Sequence, residues 1–456
     1  MAEPESILYV PILDKLDYSL IKQTVLVIGA VWLVLEFLFF VIIEIFLLPQ
    51  LQKLNDPIPI EPDPYGYIFR ILNIVDELDN YGFEVYICGF FNGAKLEDIY
   101  HRNIASFLAW AAFGKHLHDL LDSEDKVINR LMDEILARHP RIRELNSGFN
   151  PNVSHCAFTL EPIPYIHRPL LIYVLNGLNE AFFNFFFLRM TGFQRLRLEG
   201  VSYWMKQTKS DKPPMVFFHG ISPGWSFYSN IVKLLGRDRT LILIDLDAIK
   251  IKSMVFHMPT PEQFVEKTMK ILKRHRIEKV SIVGHSFGTI CAGWMVTKHP
   301  EIVSHLTLID PVSLLLCFPE VAFAFLYRKP KSIVEWVIYY FASREITIAH
   351  ALRRHFCWHK NNLFLEDVPH HIGVLVALGT SDEITNAPVV HEYVKLCTQK
   401  RNADRSGKAS SVISFKGRLA SITTSLWSGY SHGQILLSWN KQKELAKVLS
   451  MNEEYE

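Results

Sequence analysis

Net charge is what this sequence has least of. Its 48 Lys and Arg are balanced by 47 Asp and Glu, a formal net charge of +1. No arginine-rich arm or acidic tail accompanies that balance, so no nucleic acid is expected as a partner. Cysteine is scarce as well. The six, Cys88, Cys156, Cys291, Cys317, Cys357 and Cys397, include no C-x-x-C pair. That spacing argues against a structural zinc site and a disulfide scaffold, and buried free thiols are expected. Only one apolar run is long enough to span a bilayer, which excludes a multi-span transporter. Hydrophobic residues, in contrast, make up 49% of the chain and include 31 Phe, which excludes global disorder. A length of 456 residues implies one large domain with an appendage, or two domains.

The long apolar run is Val25 to Leu48. As a helix it rises about 36 Å, enough to cross a bilayer with some tilt. Glu36 and Glu44 interrupt it, and a carboxylate near the centre costs about 2.5–3.5 kcal/mol on insertion scales. The surrounding Leu, Ile, Val and Phe offset this, and a partner helix or protonation of Glu36 would relieve it. The run starts too late and lacks the small-x-small site of a cleaved leader. The expectation is a single-pass membrane protein: an N-terminal segment 1–24, a transmembrane helix 25–48 and a Pro-rich linker 49–65. Lys15 and Lys22 before the span and Lys53 and Arg70 after it give no orientation.

Residues 66–196 read as a helical region. IFRILNIVDELDNYG and NIASFLAWAAFGKHLHDLL place apolar residues at helical spacing. The stretch 170–190 is apolar and rich in Phe, but Asn176, Asn179, Glu180 and Asn184 oppose a second span. It is expected as a buried helix, with a membrane-surface helix as the alternative. From residue 197 the texture changes. LRLEGVSYWMKQ reads as an antiparallel hairpin. MVFFHG, LILID, VSIVGH, HLTLID and HIGVLVALG are short apolar runs ending in Gly, Asp or His, with helical segments such as PEQFVEKTMKILKRH between them. This alternation predicts a mostly parallel sheet covered on both faces, with ligands at the carboxyl ends of the strands. The polar stretch 398–410 is expected as a loop.

Four motifs sit at those strand ends. Gly284-His285-Ser286-Phe287-Gly288 lies between a strand and a helix, as a nucleophile elbow requires. The turn strains its serine, and the residues two before and two after must be small. Ser286 is therefore the candidate nucleophile, with Gly284 and Gly288 as elbow glycines. His219-Gly220-Ile221-Ser222 follows the strand MVFF. A tetrahedral oxyanion needs two N–H donors, and Phe287 and Ile221 are the candidates, with Ser222 second. His219 is expected to orient its loop rather than act as a base. Asp382, after the strand HIGVLVALG, is the candidate acid, with Asp310 as its rival. His432, in a Gly-flanked loop before the last helix, is the candidate base. His285 is expected to pack beside the site, and His370 and His371 to be structural. The spacing of His305 and Asp310 matches the H-x-x-x-x-D of certain acyltransferases, which we read as coincidence because both lie along one strand.

In this order the motifs resemble the α/β-hydrolase superfamily, over about residues 197–448 of a domain expected at 197–456. The resemblance implies an α/β-hydrolase fold, with an eight-stranded, mostly parallel sheet, helices on both faces and a helical cap inserted at about 311–370. It implies no metal and no organic cofactor, and an acyl-enzyme formed by Ser286, His432 and Asp382. A serine at the elbow argues against dehalogenase or epoxide hydrolase chemistry. The insert holds the apolar runs 314–319, 321–327 and 336–341, which suit an apolar lid over acyl chains or a cap packed on the core. Arg328, Lys329 and Lys331 beside it either meet lipid phosphates or are solvated. The expected activity is cleavage of a lipid-like or other apolar ester at a membrane. Acyl transfer to an alcohol and a silent binding scaffold are the alternatives.

Overall fold

The computed structural model describes residues 18–251, 254–408 and 421–454. Most of the N-terminal segment 1–24 therefore lies outside the described residues. Eight strands form one sheet: β1 (Gln194–Leu198), β2 (Val201–Lys206), β3 (Met215–Phe218), β4 (Leu241–Ile244), β5 (Val280–His285), β6 (Val303–Ile309), β7 (Gly373–Gly379) and β8 (Ile422–Trp427). Their spatial order is β1-β2-β4-β3-β5-β6-β7-β8. Pairing is antiparallel for β1–β2 and β2–β4 and parallel for the rest. The β1–β2 turn places Glu199 at φ 46° and Gly200 at φ 84°. Positive φ at both turn residues matches the twist of a two-residue hairpin. Strands β3, β4 and β7 are buried along their whole length. Helices cover both sheet faces, which is why these strands read as unbroken apolar runs.

The longer helices are α1 (Tyr18–Val41), α2 (Pro64–Glu77), α3 (Gly82–Phe90), α4 (His101–Phe113), α5 (Asp122–Arg138), α6 (Leu170–Phe182), α7 (Ser229–Leu235), α8 (Pro261–Arg274), α9 (Gly288–Lys298), α10 (Ile346–Arg354), α11 (Ala387–Lys408) and α12 (Trp439–Glu454). Their ends follow local chemistry. Helix α8 starts with Thr260 accepting from the Gln263 N–H and Pro261 in the first turn, and α4 stops at Gly114 in the left-handed region (φ 65°).

The apolar faces of α2–α5 share one contiguous core with the sheet. The Arg70 guanidinium on α2 donates to both Asp367 oxygens at 2.8 and 2.9 Å. Gly89 of α3 lies so close to Pro319 that a Cβ there would sit 2.4 Å from the proline ring.

Three expectations are corrected. Residues 398–408 continue α11 as helix rather than forming a loop, and 409–410 lie outside the described residues. Two helices, not one, are long and apolar enough to cross a membrane: Lys22–Leu51 and Leu170–Leu188. The second, expected buried, exposes Leu171, Leu175, Leu178 and Phe182. Its polar residues gather on the opposite face, where Glu180 is buried. That segregation by face, rather than the mean polarity of the stretch, decided its placement.

The two carboxylates of the first run find partners. Glu36 accepts from the Leu170 N–H at 2.7 Å and the Leu171 N–H at 3.2 Å, capping α6, and Glu44 accepts from the Tyr165 hydroxyl. The cap is divided. Leu314 to Phe318 are buried in the core, whereas Ile333, Trp336 and Val337 of the short helix Ile333–Ile338 are exposed. Arg328 is not a free lipid contact, because it donates to the Glu383 carbonyl at 2.5 Å and pairs with Glu335 at 3.1 Å.

Candidate active site

Strand β5 ends at His285 and α9 begins at Gly288, so Ser286 sits on the turn between them with φ 51°. An L-residue rarely adopts this conformation, and its neighbours hold it there. The Ser286 N–H donates to the Ile309 carbonyl at 2.9 Å. A Cβ at Gly288 would lie 2.0 Å from the Phe218 carbonyl oxygen, and one at Gly284 2.6 Å from the Gly288 carbonyl oxygen. A Cβ at Gly220 would lie 2.8 Å from Ser286 Cβ. All three glycines are there because the chain closes tightly around the serine.

Ser286, Asp382 and His432 come together from three strand ends. His432 Nε2 lies 2.8 Å from Ser286 Oγ, and His432 Nδ1 lies 2.8 Å from Asp382 Oδ2. Asp382 Oδ1 accepts from the Ile384 and Thr385 N–H groups at 2.7 and 2.9 Å. The His432 N–H donates to Glu383 Oε2 at 3.1 Å. Burial opposes charge on His432, but the Asp382 carboxylate, its hydrogen bond, Asp310 and Glu383 outweigh it and raise the imidazole to about 9. Burial likewise opposes the Asp382 charge, and His432 with the two N–H donors holds the carboxyl below its usual range.

Asp310, the rival acid, does not touch His432. It is buried, and its oxygens accept from the Gly379 N–H (3.0 Å) and the Gly433 N–H (2.8 Å), which ties β6 to the loop carrying His432. Burial and the nearby Asp382 push it up to about 6. Asp310, Asp382 and His432 bring donor atoms within 4.8 Å of one another, yet each of these atoms already serves a protein hydrogen bond.

The loop after β3 is held from several sides. His219 is buried, with Nδ1 2.8 Å from the Gly220 carbonyl and Nε2 accepting from the Leu246 N–H at 3.1 Å. Burial pushes it down to about 3, so it is neutral. The Tyr228 hydroxyl accepts from the Gly220 N–H at 2.8 Å and lies 2.9 Å from His285 Nδ1. His285 is thus packed beside the site, and burial lowers its pKa well below the usual range. His371 Nε2 lies 3.1 Å from the Pro300 carbonyl, away from the site. Among the described residues, neither the Ile221 N–H nor the Phe287 N–H has an acceptor. Beneath the loop, Lys250 lies 2.5 Å from Asp245 and 3.3 Å from Glu180, all with nearly fully buried side chains. Asp245 also accepts from Trp225 Nε1 at 2.7 Å.

The site opens into a cavity of about 410 Å³. Ser222, His285, Ser286 and His432 are among the residues that line it. Helices α2–α5 supply much of the apolar wall, including Leu72, Ile104, Phe107, Ala111 and Ile135, and the cap supplies Phe325 and Phe341. No pattern in the sequence signals this wall, because residues distant along the chain meet there only in the folded core. Tyr228 and the Lys250 cluster were missed as well, although two acids at a strand's carboxyl end, Asp245 and Asp247, were a signal.

The family model described as the alpha/beta hydrolase fold matches residues 213–344, which contain β3 to β6 and the elbow. Over these residues the chain carries an alpha/beta hydrolase fold domain. Asp382 and His432 lie beyond the matched segment. The chain is 29% identical over 134 residues to abhydrolase domain-containing protein abhd-5.2 of Caenorhabditis elegans, 28% of this chain and 30% of that protein. It is 30% identical over 128 residues to the 1-acylglycerol-3-phosphate O-acyltransferase ABHD5 of Rattus norvegicus, 26% of this chain and 35% of that protein. Each match thus spans about a third of the relative's length. Among solved structures, a bacterial membrane phospholipase A superposes with a TM-score of 0.41 at 13% identity, covering 61% of this chain and 93% of that one.

Proposed function

We propose that this hydrolase-fold protein is a membrane-anchored serine hydrolase that cleaves a carboxylic ester carrying a long apolar acyl chain. The reading is carried by one observation. A hydrogen-bonded Ser286–His432–Asp382 array, with 2.8 Å at both links, faces an apolar cavity of about 410 Å³. In this reading His432 takes the proton of Ser286 Oγ as the oxygen attacks the ester carbonyl. The Phe287 and Ile221 N–H groups receive the oxyanion. The His432 imidazolium then gives its proton to the leaving alkoxide, and the acyl group stays on Ser286. Water, deprotonated by His432, releases the acid. Residues 25–48 anchor the chain in the membrane. Residues 66–196 work with the domain 197–456 because their helices wall the cavity. The relatives named acyltransferases support the second reading, in which an alcohol replaces that water.

The test is fluorophosphonate labelling of the full chain in detergent, followed by hydrolysis of p-nitrophenyl esters from acetate to palmitate. Labelling with faster cleavage of the longer chains is expected. A folded protein that neither labels nor hydrolyses would refute the reading. Product analysis with added alcohol separates hydrolysis from transfer.

Two further results are expected. Ala111 lines the cavity and is 6% exposed. Ala111→Phe fills part of it, so the chain-length optimum should move to shorter esters, at a packing cost of about 1–3 kcal/mol. The second concerns pH. The base must be neutral, and His432 in the free protein is raised to about 9. kcat/KM should therefore climb as pH rises from 7 towards 9. Asp310→Asn removes a negative charge that favours the imidazolium, so this limb should move to lower pH. It also leaves one buried N–H without its acceptor, and a thermal melt should register a loss of roughly 1–3 kcal/mol.

A further inference from the structure

Helix α6 has two faces with different partners. On one, Asn176 Nδ2 donates to the Pro223 carbonyl at 3.4 Å and Asn179 Nδ2 to Ser226 Oγ at 3.1 Å. Glu180 lies against Gly224, where a Cβ would sit 3.0 Å from its carboxyl carbon. This face therefore grips the loop that carries Ile221. On the other, Leu171, Leu175, Leu178 and Phe182, with Phe185 in the helical turn Phe183–Leu188 that continues α6, follow one another at helical spacing and are 45% to 64% exposed. None of them lines the cavity.

The chain leading into α6 runs along the first apolar helix. Gln52 exchanges two hydrogen bonds with Ile163, at 3.0 and 2.8 Å, Glu44 accepts from Tyr165, and Glu36 caps Leu170. The sixteen steps from Glu36 to Gln52, through α1 and the helical turns 42–51 that continue it, rise about 24 Å. The seven steps of chain from Ile163 to Leu170 can span at most about 23 Å. The two lengths match, so α6 begins beside the middle of the run 25–48. A helix that starts there has lipid as the neighbour of its outer face. Phe39 and Tyr173, with ring centres 5.6 Å apart, close the joint.

We propose that the apolar stripe of α6 is a contact with the hydrocarbon of the leaflet that α1 enters, and that it holds the mouth of the cavity at the lipid. The mouth carries its own exposed apolar residues, Ile333 and Leu437, both of which line the cavity. An ester substrate then enters from the bilayer rather than from water. The lipid placement rests on the membrane reading of α1, and the substrate route on the hydrolase reading.

The test uses the full chain in phosphatidylcholine vesicles, with bimane on Leu178→Cys. The control label is on Glu278→Cys, an exposed residue just before β5 at the opposite end of the sheet from Ser286. Unsubstituted protein supplies the blank for its own thiols. Doxyl-labelled phosphatidylcholine should quench the α6 label and spare the control, and aqueous iodide should do the reverse. Equal quenching at both sites overturns the proposal. So does an α6 label shielded from both quenchers, which would mean a second copy of the chain covers the stripe.

The second arm is Leu175→Asn with Leu178→Asn and Phe182→Asn. Hydrolysis of soluble p-nitrophenyl butyrate should hold within about twofold, while that of a long-chain ester dispersed in the vesicles falls roughly tenfold. An equal loss on both substrates overturns the proposal, because α6 would then only brace the loop. Failure of the unsubstituted protein to hydrolyse either ester would sink the hydrolase reading and leave the quenching result to decide the lipid contact.

Discussion

Ser286→Ala is expected to remove fluorophosphonate labelling entirely and to lower kcat on any ester by about a millionfold, the scale seen when such a nucleophile is deleted. The oxygen lost is the one 2.8 Å from His432 Nε2, and no other hydroxyl or thiol takes its place. Ser222 also lines the cavity, but its Oγ is held by the Gly224 N–H at 3.3 Å. Cys291, on α9 just after the elbow, is buried, and burial raises its thiol above the thiolate range. The variant should fold, since alanine keeps the Cβ and the Ile309 contact is made by the backbone. Residual catalysis from the N–H pair and from binding should remain above the reaction in water. Retention of labelling in Ser286→Ala would move the nucleophile elsewhere. Labelling is read by gel fluorescence and kcat by ester hydrolysis, with a thermal melt to establish folding.

Asp382→Asn should cost about 10⁴ in kcat while leaving fold and cavity in place. The amide oxygen can keep the Ile384 and Thr385 N–H bonds made by Oδ1. The amide nitrogen then faces His432 Nδ1 in place of Oδ2. It donates, so Nδ1 must accept, and the ring proton moves to Nε2. That nitrogen faces Ser286 Oγ and can no longer take its proton. The same change removes the largest charge favouring the imidazolium, so residual activity should appear at lower pH than in the unsubstituted protein. Asp310→Asn, by contrast, should shift the pH profile with a far smaller loss of rate, because Asp310 bonds to two glycine N–H groups rather than to the imidazole. Rates measured across pH for both variants separate an acid that fixes the tautomer from one that only sets the local charge. Similar losses would argue that either carboxylate can serve.

Both variants test residues that were readable as motifs, and the fold shows why. Strand ends in a parallel sheet are fixed by local apolar runs of four to seven residues, so the residues after each run are placed by chain order alone. Gly284, Ser286 and Gly288 occupy such an end, as do His219, Asp382 and the loop before α12. Strand β8 is not marked by such a run. ITTSLW is only partly apolar because it is the edge strand, paired with β7 alone. The exposed helix 170–188 reads as buried for a related reason: its average polarity resembles that of a core helix, and only the distribution around its axis distinguishes the two.

By itself the sequence determined the alternation of strands and helices, the elbow, the order of the three candidate site residues and the first apolar helix, all of which depend on residues close together in the chain. Tertiary structure decided the rest. It chose Asp382 over Asp310 as the partner of His432, because two strand ends had to be compared in space. It gave Glu36 and Glu44 their partners in residues 165–171. It also built the cavity from α2–α5 and the cap, because burying the apolar faces of those helices requires a second surface, and the face of the sheet above the elbow supplies it.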